Sequence, residues 1–231
     1  DSGYDLANGT ANVCIGNDAG YRLNNDSSNV LVGHNAGLYG NGGPNTYLGY
    51  WAGRGTTNHG SLGNTAIGYA ALTNHNGGDG KNTAVGHQAL ATQTVGNNNT
   101  AVGYQALYGN VGGHYNVAVG WKALIDTTTN GNGNIGIGYD GGRAITTGDN
   151  NVAIGIYAMG GANAKTGDDN ICIGRNTGND LSSAGYNVII GGNAAPLMHS
   201  GDGRSVIIGQ GAGAALTTAG YNVAIGEEAL A

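Results

Sequence analysis

One nine-residue phrase recurs almost from end to end of this chain, and that recurrence narrows the folds open to it more than any other feature. NTAIGYAAL at 64–72, NTAVGHQAL at 82–90 and NTAVGYQAL at 99–107 are nearly copies of one another. Aligned on the Asn and the Gly, the phrase also occurs as NVCIGNDAG (12), NVLVGHNAG (29), NTYLGYWAG (45), NVAVGWKAL (116), NIGIGYDGG (134), NVAIGIYAM (151), NICIGRNTG (170), NVIIGGNAA (187), SVIIGQGAG (205) and NVAIGEEAL (222), thirteen repeats in all. Their glycines, from Gly16 to Gly226, follow one another at intervals of 16 to 19 residues. A repeat this short cannot bury a core alone and becomes stable only when stacked on its neighbours, which is the logic of a solenoid. No linker interrupts the repeats, so residues 1–231 read as a single repeat domain.

With each repeat numbered from its Asn, position 2 is Val, Ile or Thr and position 4 is Ile, Val or Leu in all thirteen. Position 3 between them is usually small, and this period-2 alternation predicts a short strand with positions 2 and 4 facing inward together. Gly at position 5 ends the strand in a sharp turn, where a positive φ is tolerated. Ala at position 8 in eleven repeats, followed by Leu, Met, Ala or Gly, predicts a second short strand. Polar loops between position 9 and the next Asn absorb the variation in length. Helix is excluded, because no 3.6-residue pattern is present and each repeat carries glycines costing about 1 kcal/mol apiece in a helix. The expectation is an all-β, parallel β-solenoid of about thirteen coils of 16–19 residues. At ~4.8 Å per coil it would be roughly 60 Å long. Position 1, Asn in twelve repeats and Ser205 in the other, would form a ladder of amides bonding within the turn and between coils.

If positions 2 and 4 face inward, position 3 lies outside. It holds Cys14, Leu31, Tyr47, Ala66, Ala84, Ala101, Ala118, Gly136, Ala153, Cys172, Ile189, Ile207 and Ala224, none charged. An apolar outer stripe marks an interface, and a narrow coil usually needs association to be stable. These residues are therefore the expected interface of a homotrimer. The repeats resemble the head repeats of trimeric autotransporter adhesins, and more closely the NTAIGYQAL repeats of bacteriophage tail-fibre and related fibre proteins, over about nine residues of every coil. That resemblance implies a left-handed parallel β-roll, three chains about a threefold axis, and attachment to a surface. The first repeat opens at Asn12 and the last ends at Ala231 without an atypical cap, so a segment of a longer fibre, or end-to-end stacking, is expected.

Function enters through the surface columns. Position 6 reads His34, Tyr50, Tyr69, His87, Tyr104, Trp121 and Tyr139 in seven consecutive repeats, joined by Trp51 at position 7. One reading is that these rings stack on one another and cover the glycine-rich turn. The other is a platform for the sugars of a cell-surface glycan, with hydroxyls reaching Asn35, Gln88 and Gln105. After the eighth repeat the column changes to Ile156, Arg175, Gly192, Gln210 and Glu227.

Other chemistry finds little support. Lys and Arg number eight and the net charge is −6, which disfavours a nucleic-acid partner. No apolar run approaches the ~18–20 residues of a membrane span, so no membrane insertion is expected. GNGNIG (131–136) and GIGYDG (136–141) match G-x-G-x-x-G but lack a βαβ context. No zinc spacing of Cys and His appears, and the six histidines are dispersed. Asp149, Asp168 and Asp169 could ligate Ca²⁺, but read more simply as caps on turn amides. No cofactor and no enzymatic activity are expected. Cys14 and Cys172 occupy the same repeat position nine coils apart, roughly 43 Å at one strand spacing per coil, too far to bond within the chain. The leading reading is a structural and adhesive segment of an extracellular fibre, on a virion tail or a bacterial cell surface, binding a glycan or other host receptor. The alternatives are an ice-binding solenoid, which would need a flat face of Thr, and a polysaccharide-degrading tailspike.

Overall fold

The structure, a computed structural model, describes residues 1–56, 59–60, 62–77, 80–126, 131–201 and 203–231. It is all-β, a parallel β-solenoid of about twelve turns, with no helix among the described residues. Contacts divide the chain into two compact units, Asp1–Tyr115 and Asn116–Ala231. In the first, strands Val13–Ile15, Val30–Val32, Thr46–Leu48, Thr65–Ile67, Thr83–Val85 and Thr100–Val102 pair in parallel, each with the next. In the second, Val117–Val119, Ile135–Ile137, Val152–Ile154, Ile171–Ile173, Val188–Ile190, Val206–Ile208 and Val223–Ile225 do the same. Register never slips within either unit, position 2 pairing with position 2, as in Thr65↔Thr83 and Ile135↔Val152. Two-residue strands support the return loops at Gly40–Asn41 with His59–Gly60 and Ser200–Gly201 with Thr218–Ala219.

The strand lies where the alternation places it, but its phase is reversed. Leu31, Tyr47, Ala66, Ala84, Ala101, Ala118, Ala153, Cys172, Ile189, Ile207 and Ala224 at position 3 are buried, Gly136 is buried with them, and Cys14 is half-buried. They form the core and not an outer interface. Positions 2 and 4 point outward, and Val102, Val119, Ile137, Ile171 and Ile173 are each 36–37% exposed. The physical reason is the Asn at position 1. Residues 1 and 3 of a strand share a face, and the amide must point into the coil to do its work.

That work is a ladder of hydrogen bonds. In the first unit the backbone N–H of Asn29, Asn45, Asn64, Asn82 and Asn99 donates to the side-chain oxygen of the preceding Asn at 2.8–3.0 Å. In the second unit Asn134, Asn151, Asn170, Asn187 and Ser205 repeat the bond at 2.8–3.1 Å. The amide nitrogen meanwhile reaches across its own coil: Asn99 Nδ2 donates to Gly113 O at 2.8 Å, Asn134 to Gly148 O at 2.8 Å and Asn151 to Gly167 O at 2.9 Å. One side chain thus closes a coil and stacks the next upon it.

Past the strand, a Gly at position 5 with another coil stacked on it meets two demands at once. Gly86, for example, has φ +138°, and a Cβ there would lie 2.3 Å from Gly103 O in the next coil. No second strand forms at positions 8 and 9; the chain makes consecutive turns instead. Ala106 N donates to Gly103 O at 3.4 Å and Tyr108 N to Gln105 O at 3.3 Å, while positions 7 and 9 take positive φ, as at Gln105 (52°) and Leu107 (54°). A positive φ at the third residue marks a type II turn. Hydrogen bonds between coils sustain these conformations, such as Leu90 N to Ala106 O at 3.1 Å.

The interior is filled by size exchange between positions 3 and 9. Leu31, Tyr47, Cys172 and Ile207 are matched by Gly37, Gly53, Gly178 and Gly213. A Cβ on Gly53 would lie 2.5 Å from the Tyr47 ring, and one on Gly178 2.7 Å from Cys172 Sγ. Where position 3 is Ala, buried Leu72, Leu90, Leu107, Leu124 or Met159 stands at position 9, and only in the last repeat, with Ala224, is its partner Leu230 exposed. The repeat with Gly136 and Gly142 is small at both, and Leu124 and Ile145 occupy the space. The result is close packing from alternating partners in every layer.

Two outcomes follow. Asn151→Asp sets a carboxylate oxygen against Gly167 O in a fully buried site and is expected to lower stability by several kcal/mol at neutral pH, while Asn151→Ser, which keeps a ladder acceptor as Ser205 does, costs about 1–3 kcal/mol; urea unfolding checks both. The two thiols are free, Cys172 buried and Cys14 half-buried. Burial pushes the Cys172 thiol up to about 12, so alkylation at pH 8 is expected to label Cys14 first and Cys172 only on unfolding. Mass spectrometry of the labelled peptides reads the order.

Candidate functional site

The aromatic column follows from the turn. Position 6 is the first residue after the Gly, and in-register stacking sets equivalent side chains one coil apart. In the first unit Tyr50 and Tyr69 stack at 5.3 Å with planes 3° apart, Tyr69 and His87 at 4.9 Å and 15°, and His87 and Tyr104 at 5.3 Å and 22°. His34 tilts against Tyr50 at 4.9 Å. In the second unit Trp121 and Tyr139 stack at 4.6 Å. Rings so arranged spend their faces on one another, and between stacked neighbours they present edges to solvent. Tyr50, Tyr69, Tyr104, Trp121 and Tyr139 are about 40% exposed on this account. Tyr4 and Tyr21 form a separate stack at 5.0 Å, which the repeat pattern did not reveal because Tyr4 precedes the first Asn.

Trp51 differs from the column beside it. It stands at position 7, tilted by 36° against Tyr50 at 4.9 Å, and Arg54 holds its guanidinium 5.1 Å from the indole centre. The position-7 column then runs Trp51, Ala70, Gln88 and Gln105 in successive coils. At Ala70 it has no side chain beyond Cβ. A depression of about 150 Å³ opens there, walled by Trp51, Tyr69 and Tyr108, floored by Ala70 and Ala91, and rimmed by Thr73, Asn74, Gln88 and Thr92.

The rim is partly committed to its own hydrogen bonds. Gln105 Nε2 donates to Gln88 Oε1 at 2.9 Å, so the Gln88 oxygen is engaged while its Nε2 remains a donor. The Thr92 hydroxyl donates to Tyr108 O, and that of Thr73 to Trp51 O at 3.4 Å. Both threonine oxygens keep lone pairs to accept with. Among the described residues no charged side chain lines the depression.

The acidic loop residues act on backbone. Asp149 Oδ1 accepts from Asn132 N at 2.7 Å and Asp168 Oδ1 from Asp149 N at 2.8 Å, a second ladder two residues before the Asn. Among the described residues no group of three or more His, Cys, Asp or Glu converges on a metal position, and no helix is long and apolar enough to cross a membrane.

Two buried bases escaped the sequence reading, which had no periodic signal to place them. Lys165 is fully buried, its ammonium donating to Gly161 O at 3.2 Å and Asn163 O at 2.7 Å, and burial draws its pKa down to about 8. His75, just past Asn74, is 6% exposed, and among the described residues neither of its ring nitrogens finds a hydrogen-bond partner. No family model matches the chain, and neither a curated protein nor a solved structure matches it.

Burial lowers the His75 pKa from 6.5 to about 4. The unfolded chain therefore takes up a proton near pH 6.5 that the folded chain refuses until about pH 4, and stability falls as pH drops through that window, by at most about 1.4 kcal/mol per unit from this group. His75→Met is expected to flatten the melting temperature between pH 6.5 and 4 relative to the unaltered chain, as read by thermal denaturation across that range.

Proposed function

We propose that this chain is a structural and adhesive segment of an extracellular fibre, a virion tail fibre or a bacterial surface adhesin, that works as a homotrimer and holds its particle or cell to a surface receptor. The observation that carries the reading is the outward wall of positions 2 and 4. Across both units these positions hold only Val, Ile, Leu and Thr. Contiguous apolar surface of this kind favours association, because leaving it in water costs about 25 cal/mol per Å². The repeat pattern supports it too, through its resemblance to fibre proteins whose left-handed coils associate in threes. In this reading the trimer contact moves from position 3 to positions 2 and 4, and the turn columns at positions 6 and 7 stay outside for recognition.

One observation favours a second reading. Thr46, Thr65, Thr83 and Thr100 pair with one another in register on the outward face, a short regular column of hydroxyls such as an ice-binding solenoid would use. Thermal hysteresis of the purified chain tests it.

For the fibre reading, light scattering at micromolar concentration is expected to give three times the chain mass. Combining Val102→Glu, Ile137→Glu and Ile173→Glu adds charge to outward positions, so the variant is expected to be a folded monomer with unchanged circular dichroism. A monomeric unaltered chain, or a triple variant that remains trimeric, overturns the assembly.

A further inference from the structure

We infer that the depression at Ala70 is a carbohydrate site that takes one neutral pyranose ring between the Trp51 indole and the Gln88 amide. The repeat itself supplies the geometry. Successive coils are spaced by about 4.8 Å, so Trp51 and Gln88, two coils apart in one column, leave about 9.6 Å between their levels. A ring needs about 3.5–4 Å of contact distance on each side. One ring fits that interval, and no second one does. The side chain that occupies the level elsewhere is missing: the neighbouring repeats read GHQAL and GYQAL, whereas this one reads GYAAL.

The lining selects the chemistry. Tyr69 has both faces covered by Tyr50 and His87 and so offers only its edge. The Trp51 indole, braced by Arg54, has at its column position in the next coil only the methyl of Ala70; the Tyr69 ring beside it stays 6.5 Å from the indole centre, tilted by 32°, which leaves the space over Ala70 for the C–H face of a sugar. Gln88 Nε2 donates, Thr73 and Thr92 oxygens accept, and Asn74 offers both. Hydroxyl groups, each donor and acceptor at once, answer that mixture; a hydrocarbon leaves it unsatisfied and an anion finds no cation in the lining. The net charge of −6 also disfavours an acidic ligand. Aromatic walls with a few convergent polar groups are the usual composition of a small-ligand site.

The inference rests on the attachment reading for its biological sense, and the test separates the two. In a Trp121→Phe background Trp51 is the one remaining tryptophan, and its emission reports on the site. The probes are methyl glycosides of glucose, galactose, mannose, N-acetylglucosamine and N-acetylgalactosamine, each titrated alone into the full chain. At least one is expected to shift the emission saturably with Kd in the millimolar range. Ala70→Gln restores the side chain that the next two coils carry at the same backbone angle, φ 53° at Ala70 against 56° and 52° at Gln88 and Gln105. It is expected to weaken binding at least tenfold with an unchanged melting temperature. Trp51→Ala, followed by ligand-observed NMR, is expected to weaken binding likewise, with some loss of stability from the ring packing it removes. Failure of every glycoside to bind, or undiminished binding by Ala70→Gln, overturns the site. Light scattering on the same samples keeps the readings apart: a trimer that binds no glycoside overturns the site and leaves the fibre, and a glycoside-binding monomer supports the site and overturns the trimer.

Discussion

The inward amide that heads twelve of the thirteen coils, replaced by the Ser205 hydroxyl in the other, is the constraint on which the rest of the structure depends. It is the one small neutral side chain that carries both a donor and an acceptor pair. Asn151 uses all of it: the oxygen accepts Asn170 N, and the nitrogen donates to Gly167 O across the coil. A hydrophobic residue there would strand a backbone N–H and a carbonyl in the interior, each costing about 1–3 kcal/mol. Because the amide points inward, position 3 follows it and positions 2 and 4 are forced out. Because the ladder bond recurs at 2.8–3.2 Å within each unit, the strands hold one register and the loops take up every difference in length.

This explains what was legible in the sequence and what was not. Period, strand position, the Gly turn and the amide ladder are all written in spacing, and spacing is conserved in the folded chain. The phase of the strand is not, since hydrophobicity alone sends Val and Ile inward and says nothing about an Asn that must be buried. A signal for the correct phase was nonetheless present. Tyr47 beside Gly53 and Ala101 beside Leu107 trade volume, which only residues sharing an interior do. The second strand was misread for a different reason. Leu90 at φ 52° sits in a conformation that local sterics disfavour for a non-glycine residue, and it is held there by its N–H bond to Ala106 O of the next coil, which no local pattern encodes. Lys165 and His75, buried in loops outside the repeat phrase, had no periodicity to betray them.

The folded coil divides labour among its positions. Positions 1, 3, 8 and 9 build the interior, and position 5 turns the chain against its neighbour's backbone. Positions 2 and 4 point away from that interior, yet they hold only Val, Ile, Leu and Thr, and position 4 is aliphatic in every repeat. Surface positions without a packing role drift toward polar residues in an ordinary monomer, because nothing rewards burying them. A wall that stays Val, Ile, Leu and Thr through all its coils therefore argues for a constraint outside the single chain, which is the ground of the proposed assembly.

The remaining columns, at positions 6, 7 and 10, follow neither the core pattern nor the wall, although Ala70, Thr73, Ala91 and Asp140 among them are buried, and there the residue types vary widely. The aromatic column shows how such freedom can be consumed: an unbroken run of rings satisfies itself by stacking and leaves few faces for anything else. Recognition then needs an interruption. Ala70 is one, a place where the column loses a side chain while the backbone keeps the angle that Gln88 and Gln105 adopt beside it. Binding surface on a solenoid can thus arise by subtraction. The missing side chain exposes an indole that a complete column would have covered, and the stack above and below holds the gap open at the width of one ring.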